Sequence, residues 1–191
     1  MKHEVKDVPG LAFNAKHFDR YFLNDLEWDE WRVVIEQMKE NLTDEAIESS
    51  IADLPVEVRN HPDNLKIIAK LKSRRNDLVN IGKTLYDYLN QEVQITGTNH
   101  ADKFKVKIKD DGSVNLKVFA HKKGKDIKRF DRTFYPEETK EIRLFGLEGK
   151  DEFIIEGDRR TSIRIRVIGG EDHDELNNRC LLYTSPSPRD S

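Results

Sequence analysis

Near Gln91 the apolar residues of this chain change their spacing, from a period of 3.6 to a period of 2. Helices and strands bury side chains at those two spacings, so the change divides the chain into a helical half and a β half. The fold class that follows is α+β, an N-terminal helical segment followed by an antiparallel or roll-like β unit. The expected limits are an opening segment at 1–23, a helical subdomain at 24–90, a β subdomain at 91–176 and a non-native or disordered tail at 177–191.

Upstream of the change, Val8-Pro9-Gly10 signals a turn. Phe13, Phe18, Tyr21 and Phe22 then form an aromatic cluster, read as core or inter-domain packing, with a ligand shelf or docking surface as alternatives. Trp31, Val34, Ile35, Met38 and Leu42 share one face of a helix that ends near Asn41, and Glu27, Asp29 and Glu30 suit its positive start. Thr43 reads as the N-cap of a second helix with Ile47, Ile51 and Leu54 in its buried stripe. Pro55 ends that helix, because the residue before a proline is pushed out of the α region. His61-Pro62-Asp63 opens a third helix expected to run to about Asn90, with Leu65, Ile68, Leu71 and Leu78 on its inner face and a weak point at Gly82. Its basic run, Lys70, Lys72, Arg74 and Arg75, reads as a solvated face, an anion site being the alternative.

Downstream, Lys103 to Lys109 alternates strictly, apolar in and lysine out. Asp111-Gly112 is a hairpin turn, and Val114, Leu116 and Val118 return on the next strand. Lys122-Lys123-Gly124 makes another turn, and further strands are expected at Ile127–Tyr135, Ile142–Phe145, Phe153–Ile155 and Ile163–Ile168. A half-solvated antiparallel sheet accounts for the lysine row without a phosphate or lipid ligand.

The β half also repeats itself. Residues 142–153 align with residues 165–176 at an offset of 23, sharing Ile, Arg, Gly, Glu, Asp and Glu at six of twelve positions. Each copy is a strand followed by a Gly/Asp turn that resembles the calcium-binding nonapeptide of parallel β-rolls. Gly146, Gly149 and Asp151 fit in the first copy, with Leu147 where the second glycine belongs; Gly169, Gly170 and Asp174 fit in the second, with Asp172 at the third. Glycines would let carbonyls point inward and an aspartate would supply a hard oxygen, so calcium is the one cofactor suggested. The alternative is a pair of glycine-rich turns with no ion.

Composition narrows the function classes. Apolar residues make up 36% of the 191 and charged residues another 36%, against roughly 45–50% apolar in a typical domain. The core is therefore expected to be thin and supplemented by a neighbouring domain. Net charge is −3 from 33 basic and 36 acidic residues with the signs interspersed, which implies no nucleic-acid partner. No apolar run approaches a membrane span, and the first five residues lack the apolar core of a signal peptide. The six histidines form no zinc pattern, and neither a phosphate-binding glycine loop nor a nucleophile elbow is present. Gly97-Thr98-Asn99-His100 faintly echoes a metallophosphoesterase ligand motif, but its companions are missing, and His100 is expected in a loop. The last twelve residues, Cys180 to Ser191, change abruptly to a Ser/Pro-rich string that resembles translated sequencing-adapter read-through from assembled metagenomic or transcript contigs. Setting them aside removes the only cysteine.

Four segments carry a family resemblance: 10–23 (Gly-Leu-Ala-Phe-Asn followed by Phe-Asp-Arg-Tyr-Phe-Leu), 42–48, 68–75 and 138–147. Together they resemble the middle region of large Gram-negative envelope proteins, over roughly residues 8–176. Those proteins join an upstream calcineurin-like metallophosphoesterase domain to a downstream BamA-like outer-membrane barrel. The resemblance implies a non-catalytic connecting or positioning module at the periplasmic face of the outer membrane, whose partners are the flanking domains of the same polypeptide. It implies no catalytic residue here. The rival is a calcium-stabilised β-roll-like module of a secreted or surface protein. If Met1 is the true start, the expected location is instead the cytoplasm.

Overall fold

The computed structural model describes residues 5–122 and 124–180. Met1–Glu4, Lys123 and the tail residues 181–191 lie outside the described residues, so the reading of the tail is carried there by the sequence alone. The chain divides into two compact units. One comprises residues 1–16 and 26–88; the other comprises residues 17–25 and everything from Leu89 onward.

In the helical unit, α1 (Val8–Ala12) starts where the sequence suggested only a turn, because the Asp7 carboxylate accepts a hydrogen bond from Gly10 N–H at 2.8 Å. Helix α3 (Trp28–Asn41) follows α2 (Lys16–Phe22) and opens with a reciprocal cap between Glu27 and Glu30. Thr43 caps α4 (Asp44–Ala52), its Oγ1 accepting from Ala46 N–H at 3.1 Å, as its residue type predicts. A short α5 (Val56–Arg59) begins at Pro55. The expected third helix is two: α6 (Asn64–Asn76) and α7 (Leu78–Asn90). The break falls at Asp77, not Gly82; Asp77 accepts from Asn80 and Ile81 and so starts a new helix. Gly82 lies inside α7 because Ile35 packs against it, where an added Cβ would sit 2.2 Å from Ile35 Cδ1. Trp31 meets Tyr86 edge-on, and Trp28 meets it at a tilt. The basic run of α6 ties that helix to α4: Lys72 pairs with Asp44 and Glu48, and Arg75 with Asp44. The predicted stripes are mostly not core. Ile35 and Ile47 are buried, whereas Val34, Met38 and Leu65 stand open to solvent.

In the β unit, strands β1 (Glu92–Thr96), β5 (Glu141–Leu147) and β7 (Arg164–Gly170) form one sheet, all parallel. The second sheet has the order β4-β3-β2-β6-β8, built from β2 (Asp102–Ile108), β3 (Val114–Lys122), β4 (Lys125–Phe134), β6 (Glu152–Glu156) and β8 (Glu175–Asn178). The antiparallel and roll-like alternatives therefore each describe part of it. β2, β6 and β8 are parallel to one another, and β3–β4 is an antiparallel hairpin added at the β2 side. Following the chain, three coils stack: β1–β2, β5–β6 and β7–β8. The last two are offset by 23 residues (Glu141 opposite Arg164, Glu152 opposite Glu175). The first two are offset by 49 (Glu92 opposite Glu141), because the hairpin inserts 26 residues into the first coil. One apolar cluster draws from both sheets, with Val93, Ile142 and Ile165 from one and Phe104 and Phe153 from the other, these two rings stacked at 4.7 Å.

The helix α2 (Lys16–Phe22), apart from Lys16, belongs with the β unit. Arg20 is buried and donates to Leu89 O and to Glu92, and Asn24 donates to Gln94 O at 2.8 Å. The aromatic cluster is not core: Phe18, Tyr21 and Phe22 are each more than half exposed, with Phe22 tilted against Phe18 and edge-to-face with Tyr21. Pairing runs past the expected boundary at 176, with Arg179 N–H donating to Ile155 O, and the buried Cys180 joins the apolar cluster.

Candidate functional site: the aspartate turns of the coil

Each coil passes from the first sheet to the second through a turn that begins on a glycine and ends on an aspartate five residues later. The pairs are Gly97–Asp102, Gly146–Asp151 and Gly169–Asp174. The six residues singled out for calcium thus occupy two stacked turns: Gly146, Gly149 and Asp151 in one, Gly169, Gly170 and Asp174 in the next. The repeat missed the first turn. Its signal was the same Gly-x4-Asp spacing, hidden because the hairpin changes the offset and Thr98, Asn99 and His100 match nothing in the later copies. His100 lies exposed in that turn, as a loop residue.

The aspartates form a column. Asp102 N–H donates to Asp151 Oδ1 at 2.8 Å, and Asp151 N–H donates to Asp174 Oδ1 at 3.0 Å. Alongside, Gly149 N–H donates to Asp172 Oδ2 at 3.0 Å. Each carboxylate therefore satisfies a backbone donor of the preceding coil. The glycines make room for it: a Cβ on Gly146 would fall 2.1 Å from Asp151 Oδ2 and 2.5 Å from Gly169 O. Leu147 and Gly170 share a register position, and both take positive φ, 78° and 154°. Glycine fits this position at no steric cost; leucine does not.

Asp102 and Asp151 are almost fully buried, and Asp102 Oδ1 and Asp151 Oδ2 have no hydrogen-bond partner among the described residues. Burial, reinforced by the charges of Asp102, Asp174 and Asp172, pushes the Asp151 carboxyl up to about 6, against the lowering effect of the Asp102 N–H. Asp151 Oδ2 and Gly169 O face the same space beside Gly146, so the oxygen is placed to hold a proton or to meet a cation. A calcium ion takes six to eight oxygens. Among the described residues no group of three or more His, Cys, Asp or Glu is placed to hold a metal.

A second polar group sits at the foot of the first sheet. Burial raises the Glu141 carboxyl, but hydrogen bonding from Arg143 and the charges of Arg143, Arg166 and Arg164 outweigh it, leaving it below the usual carboxylate range. Against known proteins, no family model matches the chain, and no curated sequence or solved structure is significantly similar to it.

Proposed function

We propose that this chain is a non-catalytic connecting and positioning module of a larger cell-envelope protein, set at the periplasmic face of the outer membrane. Its parent joins a calcineurin-like metallophosphoesterase domain upstream to a BamA-like barrel downstream. The partners are those flanking domains, with no nucleic acid. No described helix is long and apolar enough to cross a membrane. The observation that carries the proposal is the imbalance of the helical unit. Among the described residues its only buried large apolar side chains are Val8, Ile35, Ile47 and Tyr86, while Leu11 and Leu65 are 77% and 78% exposed. A unit with so little core gains stability by packing against a neighbour.

Long-read sequencing of the source material across this frame tests the reading. Phosphoesterase ligand motifs upstream and a barrel downstream support it; an extended frame with neither overturns it. The rival, a calcium-stabilised roll of a secreted or surface protein, is favoured by the buried, unpartnered oxygens of Asp102 and Asp151. It requires a rise in melting temperature with added calcium that a chelator reverses and that an Asp151→Ala, Asp174→Ala chain lacks.

A further inference from the structure

The two ends of the coil stack differ. At the first coil, residues 17–25 cover the outer edge of β1, with the Asn24 amide on Gln94 O, and the β3–β4 hairpin covers the outer edge of β2. At the third coil, β7 and β8 are both terminal strands of their sheets. Stacked-repeat proteins close such ends with a polar cap. Here the end leaves the next step of two ladders open instead. Phe104 and Phe153 fill the core at matching register positions, and Leu176, the third member, is 57% exposed. The aspartate column ends likewise. Asp102 and Asp151 each donate their N–H to the carboxylate one coil further on, whereas the Asp174 N–H has no acceptor among the described residues.

We propose that the β7–β8 end is the docking face for a further parallel β-coil, supplied by a flanking segment of the same larger polypeptide. The occupant pairs with β7 and β8 in the 23-residue register, covers Leu176 with an apolar side chain and brings an aspartate to the Asp174 N–H. The coil-to-coil interfaces already formed twice in this unit define that chemistry, and the new interface continues them. The eleven residues after Cys180 are fewer than a 23-residue coil needs, and Pro186 and Pro188 among them cannot donate to a ladder. This inference deepens the reading of the chain as a connecting module: it makes the connection a continuous roll in place of a loose linker.

The test is a chain in which residues 157–179 are duplicated in tandem before Cys180, with amide exchange followed residue by residue. The Asp174 amide is expected to exchange about tenfold more slowly than in the native chain, or slower still. Changing the copied ladder aspartate to alanine returns that amide to its native rate. An unchanged Asp174 rate in a duplicated chain whose Gly97 and Asp151 amides stay protected overturns the proposal. So does protection of Asp174 in the native chain that grows with concentration alongside dimer formation, which would give the face to a second copy. Either failure leaves the parent architecture to be decided by the reading frame, so the two ideas fail separately.

Discussion

Asp151 concentrates the chemistry of the β unit in one carboxyl group. Its folded-state pKa of about 6 lies above the usual value near 3.8, so the folded chain holds a proton that the unfolded chain releases. The contribution of this group is therefore most favourable below about pH 4. It diminishes as pH rises toward 6 and is level above that. Asp151→Asn keeps an oxygen for the Asp102 N–H and removes the charge. The melting temperature of this variant, relative to the native chain, is expected to increase between pH 4 and pH 7. Parallel curves across that range, measured by circular dichroism, would show that Asp151 titrates normally. Leu147 offers a second residue-scale test. It is 39% exposed and holds a positive φ, where a side chain costs about 1–2 kcal/mol. Leu147→Gly is expected to stabilise the chain by about 1 kcal/mol in urea titrations, after allowing for the extra entropy glycine loses on folding; a loss of stability would mean that the leucine packs more than it strains.

At the scale of elements, the turns are defined by what cannot be added to them. Gly146→Ala places a methyl group against Asp151 Oδ2, which can swing away, and against Gly169 O, which is backbone and cannot. The expected cost is about 1–3 kcal/mol, as for other overpacked sites, read from the urea midpoint; a neutral result would show that the second and third coils separate easily. These turns also show how far the sequence could be read. The second and third were legible because strand, glycine and aspartate recur together at an offset of 23. The first was not, because the inserted hairpin carries its own alternating pattern and masks the longer offset. The parallel pairing was equally hidden: alternation in Phe104-Lys105-Val106 shows which face is buried but not which strand lies alongside. In the helical unit, the caps at Glu27 and Thr43 were legible because they are local. The outcome at Leu65 and Val34 was not, since apolar spacing marks a face and only tertiary packing decides whether that face is covered.

At the scale of the whole molecule, contacts and chain order disagree. Residues 17–25 lie between the two stretches of the helical unit in sequence, yet they are held to the β unit by Arg20 on Leu89 O and Asn24 on Gln94 O, and the Asn24 carbonyl accepts from Arg132 of the hairpin. The β unit contains the large continuous core, whereas the helical unit buries few apolar side chains. Opening should therefore follow the units and not the sequence. Native-state hydrogen exchange under rising denaturant tests this through three amides with defined acceptors. Those of Leu23 (on Asp19 O) and Gly97 (on Phe145 O) are expected to merge into one high-energy opening. The Ile47 amide, on Thr43 O, is expected to exchange through a separate and lower one. If Leu23 instead exchanges together with Ile47, residues 17–25 are only loosely attached to β1, and the first coil loses the cap that distinguishes it from the third. Asn24→Ala separates the remaining possibilities. Leaving Gln94 O without its donor should cost about 1 kcal/mol and lower the opening energy of Gly97 while leaving that of Ile47 unchanged.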